Sequence, residues 1–173
     1  MPALDAHAQL PENYFRLTYE WEAGSIPPQW HSQFRIMIQT PGPSEIVMIP
    51  GYPDVYSGEP RWRISLSPTK AQMDSLLKFI EDYHLFGNAW TIRPRGCVPP
   101  TPTGGSRCTL SIAKSIKGSL VANILPCNDE EVEGAYKEQK DTFVKMIREM
   151  VPAGDWDQLE ASMKKYLNEA TKR

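Results

Sequence analysis

Two stretches near the start of the chain alternate between hydrophobic and polar residues. The first spans 14–22, and its apolar side chains on one side are Phe15, Leu17, Tyr19 and Trp21. The second spans 31–40, and its apolar side chains on one side are Phe34, Ile36 and Ile38. A period of two is typical of a strand that buries one face. The two stretches therefore predict an opening β-hairpin.

Matching the apolar positions gives this hairpin a register. A connection folded about positions 26 and 27 sets Tyr19 opposite Phe34 and Glu22 opposite His31. Apolar side chains then face apolar ones along the ladder, as a correct register requires. We therefore expect a cross-strand pair between a carboxylate and an imidazole.

The next part of the chain predicts two short strands and a helix. The strands are expected at 45–49 and 62–66, where apolar residues cluster or alternate. A helix then follows, with Ser67 as its N-cap and Gly87 as its C-terminal stop.

The second half repeats strands and then helices. A strand is predicted at 90–92, followed by a hairpin that turns at Gly118. Two helices close the chain, with Asn128 and Asp155 as their N-caps because each is followed three residues later by Glu or Gln. Pro152 breaks the pattern between the two helices.

Together these elements predict an α+β fold with the order β-β-β-β-α-β-β-β-α-α. Runs of strands without intervening helices favour antiparallel pairing, so we expect a mostly antiparallel sheet of about seven strands covered by three helices. Residues 1–12 are expected to be a flexible N-terminus, and 13–173 a single domain.

Composition and charge narrow the class of protein. The chain has 173 residues, 40 % hydrophobic and 23 % charged, which is typical of a globular protein. Its net charge of −2 argues against nucleic acid or an anionic membrane as the partner. The stretch 46–49 is too short to span a membrane, and 1–11 lacks the basic and apolar regions of a secretory signal.

The cysteines bear on the cellular compartment. Cys97, Cys108 and Cys127 are odd in number and show no C-x-x-C spacing. We therefore expect free thiols and a cytoplasmic location, with a Cys97–Cys108 bridge as the alternative. Cys97, in a Pro-rich stretch, has no histidine near it in sequence to act as a catalytic base.

The polar face of the opening hairpin offers one candidate for catalysis. Glu20 and Glu22 lie near His31 in the predicted register, and a carboxylate beside an imidazole suits general acid–base chemistry. This favours a small hydrolytic or metal-assisted enzyme as one hypothesis. Two carboxylates and one histidine are too few for a usual metal site, so we expect no metal and no cofactor. An ordinary solvated sheet face would show the same residues.

A glycine pair offers a weaker candidate, for anion binding. Gly104, Gly105 and Ser106 lie close in sequence to Arg93, Arg95 and Arg107. Because the glycines lead into a strand and not a helix, the helix dipole that assists phosphate sites is missing. An ordinary flexible loop explains the residues equally well.

Three long irregular stretches, 24–30, 50–60 and 94–105, are rich in proline, and the first two also carry aromatic residues. If they meet at one end of the sheet, they would form a recognition surface, since binding residues concentrate on loops held by a rigid scaffold. Its expected anchors are Trp30, Tyr52, Tyr56 and Arg95, of residue types enriched in binding hot spots. The main hypothesis is therefore a non-enzymatic binding module for a protein or small-molecule ligand. Proline that merely stiffens long connections is the alternative, and the last helices could instead pack on an assembly partner.

Overall fold

The computed structural model describes residues 11–24, 32–50, 61–87, 90, 105–128, 131–132 and 134–170. The strands are β1 (Phe15–Glu22), β2 (Ser32–Thr40), β3 (Ser44–Pro50), β4 (Trp62–Leu66), β5 (Arg107–Ile116) and β6 (Ser119–Leu125). The helices are α1 (Lys70–Asp82), α2 (Gly134–Arg148) and α3 (Ala153–Ala170). The expected flexible N-terminus falls mostly outside these residues, and the division of the chain into domains stays a prediction.

The six strands form one sheet in the order β4-β3-β2-β1-β5-β6. Every neighbouring pair is antiparallel. The predicted α+β class with an antiparallel sheet and three helices is therefore confirmed. The described residues form six strands where about seven were expected. Trp90 adopts a left-handed backbone with φ of 43° and belongs to no strand, and 91–92 lie outside the described residues.

The register of the opening hairpin differs from the predicted one by two residues. Trp21, and not Tyr19, lies opposite Phe34, and Glu22 lies opposite Gln33. The predicted Glu22–His31 pair is therefore wrong. A slip of two positions keeps each side chain on its own face of the sheet. The prediction of which residues face the core is confirmed for this reason, although the pairing is not.

One face of the sheet packs against all three helices. Alternate side chains of the strands join apolar side chains of the helices in one buried cluster, which includes Leu17, Ile36, Ile112, Leu76, Phe143 and Leu159. Aromatic contacts hold α3 on the sheet, since the ring centroids of Phe34 and Trp156 lie 5.0 Å apart and those of Trp62 and Tyr166 lie 6.0 Å apart. The other face bears polar side chains at most positions, and we call it the open face.

The predicted ends of α1 are wrong by a few residues. Thr69, and not Ser67, is the N-cap: its Oγ accepts from the backbone N–H of Gln72 at 3.2 Å, and the Gln72 side chain accepts from the Thr69 N–H at 2.8 Å. The helix ends at Asp82, because His84 turns left-handed with φ of 51° before Gly87 is reached.

The ends of the last two helices also differ from the prediction. Helix α2 begins at Gly134, so Asn128 does not cap it. Helix α3 begins at Ala153, which places Asp155 within its first turn, where a carboxylate favours the helix dipole. Among the described helices, none combines the length and apolar character needed to cross a bilayer.

A two-residue turn joins β5 to β6, as the hairpin prediction at Gly118 expected. Lys117 and Gly118 both have positive φ, 52° and 79°. Two left-handed residues in succession form the tight turn that matches the twist of two antiparallel strands. The turn sets the register of the hairpin, in which Ile116 lies opposite Ser119 and Leu110 opposite Leu125.

Candidate functional site

The three proline-rich stretches join the sheet at a common end. Ser32 lies opposite Pro50, and Glu22 lies opposite Arg107. Arg61 immediately precedes β4, whose first residue, Trp62, lies opposite Met48 near the end of β3. We call this end, where β1 and β3 finish and where β2, β4 and β5 begin, the loop end of the sheet. The described residues that flank 24–30 and 50–60 on both sides therefore lie at the loop end. The residues that follow 94–105 lie there as well.

A cavity of about 660 Å³ opens at the loop end. Charged side chains of both signs line it: Glu20, Glu22, Glu131, Arg35, Arg61 and Arg107. Val47 and Ile49 of β3 add apolar surface, and amides from Gln33 and Asn128 add hydrogen-bonding groups. We call this the loop-end cavity. Its walls can satisfy a ligand that carries polar and apolar groups together.

One cross-strand ion pair lies in the wall of this cavity. Arg35 Nη1 and Glu20 Oε1 are 3.7 Å apart, on neighbouring strands, and both side chains are about half exposed. Such an exposed pair contributes only about 0–1 kcal/mol to the free energy of unfolding. The pair therefore orders two side chains in the cavity more than it stabilises the fold.

A disulfide between Cys108 and Cys127 ties the start of β5 to the segment after β6. The expectation of free thiols is wrong for these two residues, and the alternative Cys97–Cys108 bridge is wrong as well. The reason lies in the hairpin: Leu110 faces Leu125, so the positions two residues further out on each side also face each other. Cys97 lies outside the described residues.

Asn128 reinforces the same junction. Its side-chain oxygen accepts from the backbone N–H of Cys108 at 2.8 Å, and its side-chain amide donates to the Cys108 carbonyl at 3.3 Å. The Asn128 side chain thus extends the hydrogen bonding between β5 and β6 by one step beyond the end of β6. The predicted role of Asn128 as a helix N-cap is wrong. Because Cys108, Asn128 and Glu131 line the cavity, the disulfide and these hydrogen bonds fix one of its walls.

The candidate catalytic residues are only partly brought together. Glu20 and Glu22 both line the loop-end cavity, but Glu20 is paired with Arg35 and Glu22 faces Gln33. His31 lies outside the described residues. Within the part of the chain that is described, no group of three or more potential metal ligands occurs. The geometry therefore adds nothing specific in favour of the hydrolytic hypothesis.

The candidate binding residues Trp30, Tyr52, Tyr56 and Arg95 all lie outside the described residues, so their role stays a prediction. Of the glycine-pair candidate, Gly105 and Ser106 lead directly into β5, as expected. Arg107 then contributes to the loop-end cavity, whereas Arg93 lies outside the described residues. Arg35, which lies on the same polar face of the hairpin as Glu20 and Glu22, also lines the cavity. Sequence reasoning missed Arg61 and Asn128 as members of this site.

A second set of residues that sequence reasoning missed lies under the covered face of the sheet. The Arg148 guanidinium stacks on two rings, 5.2 Å from Phe34 and 5.1 Å from Trp156. Burial raises the pKa of the Tyr19 phenol, although the positive charge of nearby Arg148 opposes the shift. A raised pKa in the folded state stabilises the fold below pH ~10, and this contribution is lost as the pH rises beyond that value. No pattern in the sequence pointed to this cluster.

No protein family model matches the chain, and no curated protein matches it. The geometry of the loop end is therefore the basis for the function proposed below.

Proposed function

We propose that the protein is a non-enzymatic binding module whose ligand, a protein segment or a small molecule, is held at the loop end of the sheet. The observation that carries this proposal is the convergence of borders from all three proline-rich stretches on a cavity of about 660 Å³. A rigid antiparallel sheet that carries its long loops at one end is a common arrangement for recognition.

The lining of the cavity supports a particular class of ligand. The lining combines three arginines and three glutamates with two amides and with Val47 and Ile49. A ligand of one charge would meet like charges as well as opposite ones, which lowers its affinity. A peptide-like or polar neutral ligand, with donors and acceptors beside an apolar group, matches this lining better.

Trp30, Tyr52, Tyr56 and Arg95 are the proposed anchors in the stretches that border the cavity. Tyrosine and tryptophan supply large contact area with few rotatable bonds, and arginine can bond a carboxylate through two N–H groups. Each anchor belongs to one of the three stretches that join the sheet at the loop end.

The disulfide bears on the cellular compartment in which the protein functions. A cytoplasmic location was expected because the thiols were expected to be free. Disulfides persist mainly in oxidising surroundings, and Cys108 and Cys127 are bridged. We therefore propose that the protein functions in an oxidising compartment. Native protein treated with a thiol reagent should show one reactive thiol, from Cys97. Three reactive thiols would contradict the proposed oxidising compartment.

The binding proposal can be tested with two defined probes, a phage-displayed random peptide library and a library of polar fragments. Amide chemical shifts in two-dimensional NMR report where each selected probe binds. We expect the shifts to concentrate at Glu22, Gln33 and Arg107, around the loop-end cavity. Shifts confined to the groove between α2 and α3, which Val144, Pro152 and Trp156 line, would contradict the proposal, as would no selected binder from either library.

Variants then separate the proposed anchors from the scaffold. We expect a few of the four proposed anchors to be binding hot spots. Alanine at such a position, among Trp30, Tyr52, Tyr56 and Arg95, should raise the dissociation constant of the selected probe by roughly tenfold or more. Lys164→Ala, on exposed helix surface, is the matched control and should leave binding unchanged. Equal affinity for all five variants would exclude these loops as the binding surface.

A further inference from the structure

The two edges of the sheet are protected very differently. Strand β4, at one edge, has five residues, and an arginine lies within it and another immediately before it. Strand β6, at the other, has seven residues and no charged side chain. Charged side chains and short length are the usual devices that keep edge strands from pairing with another chain. Strand β6 has neither.

The edge at β6 also carries the most exposed large apolar side chains of the described open face. Ile124 is 71 % exposed and Leu120 is 55 % exposed. Both project from the open face on either side of Ala122, since alternate residues of a strand share a face. Aliphatic side chains this exposed, on a strand without charge, point to an interaction surface.

The backbone of β6 presents its free hydrogen-bonding groups at these same residues. A two-residue turn closes on a hydrogen-bonded pair, here Ile116 and Ser119, and such pairs then recur at every second residue. The N–H and C=O groups of Leu120, Ala122 and Ile124 therefore point away from β5, toward the edge. Within the described residues, no strand lies beyond β6.

The pattern of β6 is self-complementary. If β6 pairs antiparallel with another β6 about a twofold axis at Ala122, Leu120 of one copy lies opposite Ile124 of the other. Each outward-pointing N–H and C=O then meets a partner in the ladder, and the apolar side chains meet across the axis. A closed twofold contact uses the same surface of both copies, and here that surface matches itself.

We propose that this protein forms a homodimer in which the two β6 strands pair antiparallel about Ala122, joining the two six-stranded sheets of the described residues into one. A second copy is the occupant that the edge fits, because no charge lies on β6 to be repelled across the axis and because the apolar residues fall at symmetric positions. The proposal is independent of the proposed binding function.

The size of this contact sets the expected strength of the dimer. One ladder of seven residues with two large aliphatic side chains on each copy buries well under the roughly 800 Å² per partner of a standard interface. We therefore expect a reversible dimer with a dissociation constant on the order of 1–100 µM. Sedimentation velocity over a concentration series in this range should show a monomer–dimer equilibrium.

Two substitutions test the surface. Ile124→Lys places a charge on the edge at an exposed position and should raise the dissociation constant by about tenfold or more. Ser65→Lys, exposed on the open face of β4, is the matched control and should leave the equilibrium unchanged. Thermal unfolding of both variants checks that the fold is retained. A protein that stays monomeric up to millimolar concentration, or an unchanged constant in Ile124→Lys, would overturn the proposal.

Cross-linking tests the register itself. In a Cys97→Ser background, Ala122→Cys sets two thiols opposite each other across the axis, at the Cα separation of about 5.5 Å that a disulfide accepts. Leu120→Cys sets its thiol opposite Ile124 of the second copy and should cross-link poorly. Mild oxidation and non-reducing electrophoresis should give a dimer band for Ala122→Cys alone. Equal bands for the two variants, or no band for either, would exclude pairing about Ala122.

Discussion

The two faces of the sheet, built from the same strands, hold the molecule together in different ways. On the covered face, Leu17 and Ile36 are fully buried against the helices. On the open face, Glu20 pairs with Arg35 and both side chains are about half exposed, while Glu45 pairs with the exposed Arg63. Burial of apolar area contributes far more per residue than an exposed pair. Stability should therefore concentrate on one face, leaving the other free to change.

The largest expected difference between the faces is at adjacent positions of β1. Leu17→Ala leaves a cavity under the helices and should lower the free energy of unfolding by about 4 kcal/mol. Thr18→Ala, one residue away on the open face, should change it by no more than about 0.5 kcal/mol. Denaturant unfolding measures both variants. Similar losses would show that the open face is also packed against something.

The disulfide under the covered face should have the next largest effect. Cys108→Ser combined with Cys127→Ser removes a cross-link between residues 19 apart. The lost constraint on the unfolded chain should lower stability by about 3 kcal/mol. Cys97→Ser is the control and should leave the denaturation midpoint unchanged. A double variant as stable as the native protein would show that the β5–β6 ladder alone holds this junction.

The hydrogen bonds of Asn128 should contribute less than the disulfide beside them. Asn128→Ala leaves the backbone groups of Cys108 without these partners and should cost about 1–2 kcal/mol. Asn128→Asp keeps an acceptor for the Cys108 N–H and should lose less. Calorimetric unfolding would rank the three proteins. An Asp variant that falls as far as the Ala variant would indicate that the amide donor carries the interaction.

The smallest effect is expected on the open face. A double-mutant cycle with Glu20→Gln and Arg35→Gln should give a coupling energy below about 1 kcal/mol, and added salt should reduce it further. Equilibrium unfolding at low and high salt provides the measurement. A coupling well above this value would remove the proposed difference between the faces.

How much of this fold could be predicted depends on what each pattern encodes. Alternation along β1 and β2 correctly separated Leu17 and Phe34 from Glu20 and Arg35. It could not choose between registers two residues apart, because both leave the same side chains buried. The connection between the strands decides that choice, and its proline-rich sequence has no simple turn signature.

The pairing of Cys108 with Cys127 could have been predicted from the sequence. Cys108 and Cys127 are equally far from the turn at 117–118, so any hairpin centred there sets them opposite each other. The odd number of cysteines and the lack of C-x-x-C spacing do not reveal this symmetry. Asn128, next to Cys127, was read as a helix cap because capping and strand-end hydrogen bonding favour the same residue types.

The candidate site was less predictable than the fold. Glu20 and Glu22 were found because they alternate with buried residues on β1. Arg61 and Glu131 lie far from them in sequence, and only the order of the strands and the segment after β6 brings them to the same cavity. Contacts of this kind depend on topology, which local patterns do not contain.

The common end at which the long stretches join the sheet also has a consequence for engineering. Residues that hold the helices on the sheet and residues that border these stretches are largely separate sets. Sequence diversity introduced at 25–30, 51–60 and 94–104 should therefore alter recognition while leaving the covered face intact. A display library randomised in these stretches, with the Cys108–Cys127 bridge retained, would keep the sheet as a constant scaffold. Selection from such a library should yield variants with new binding specificities.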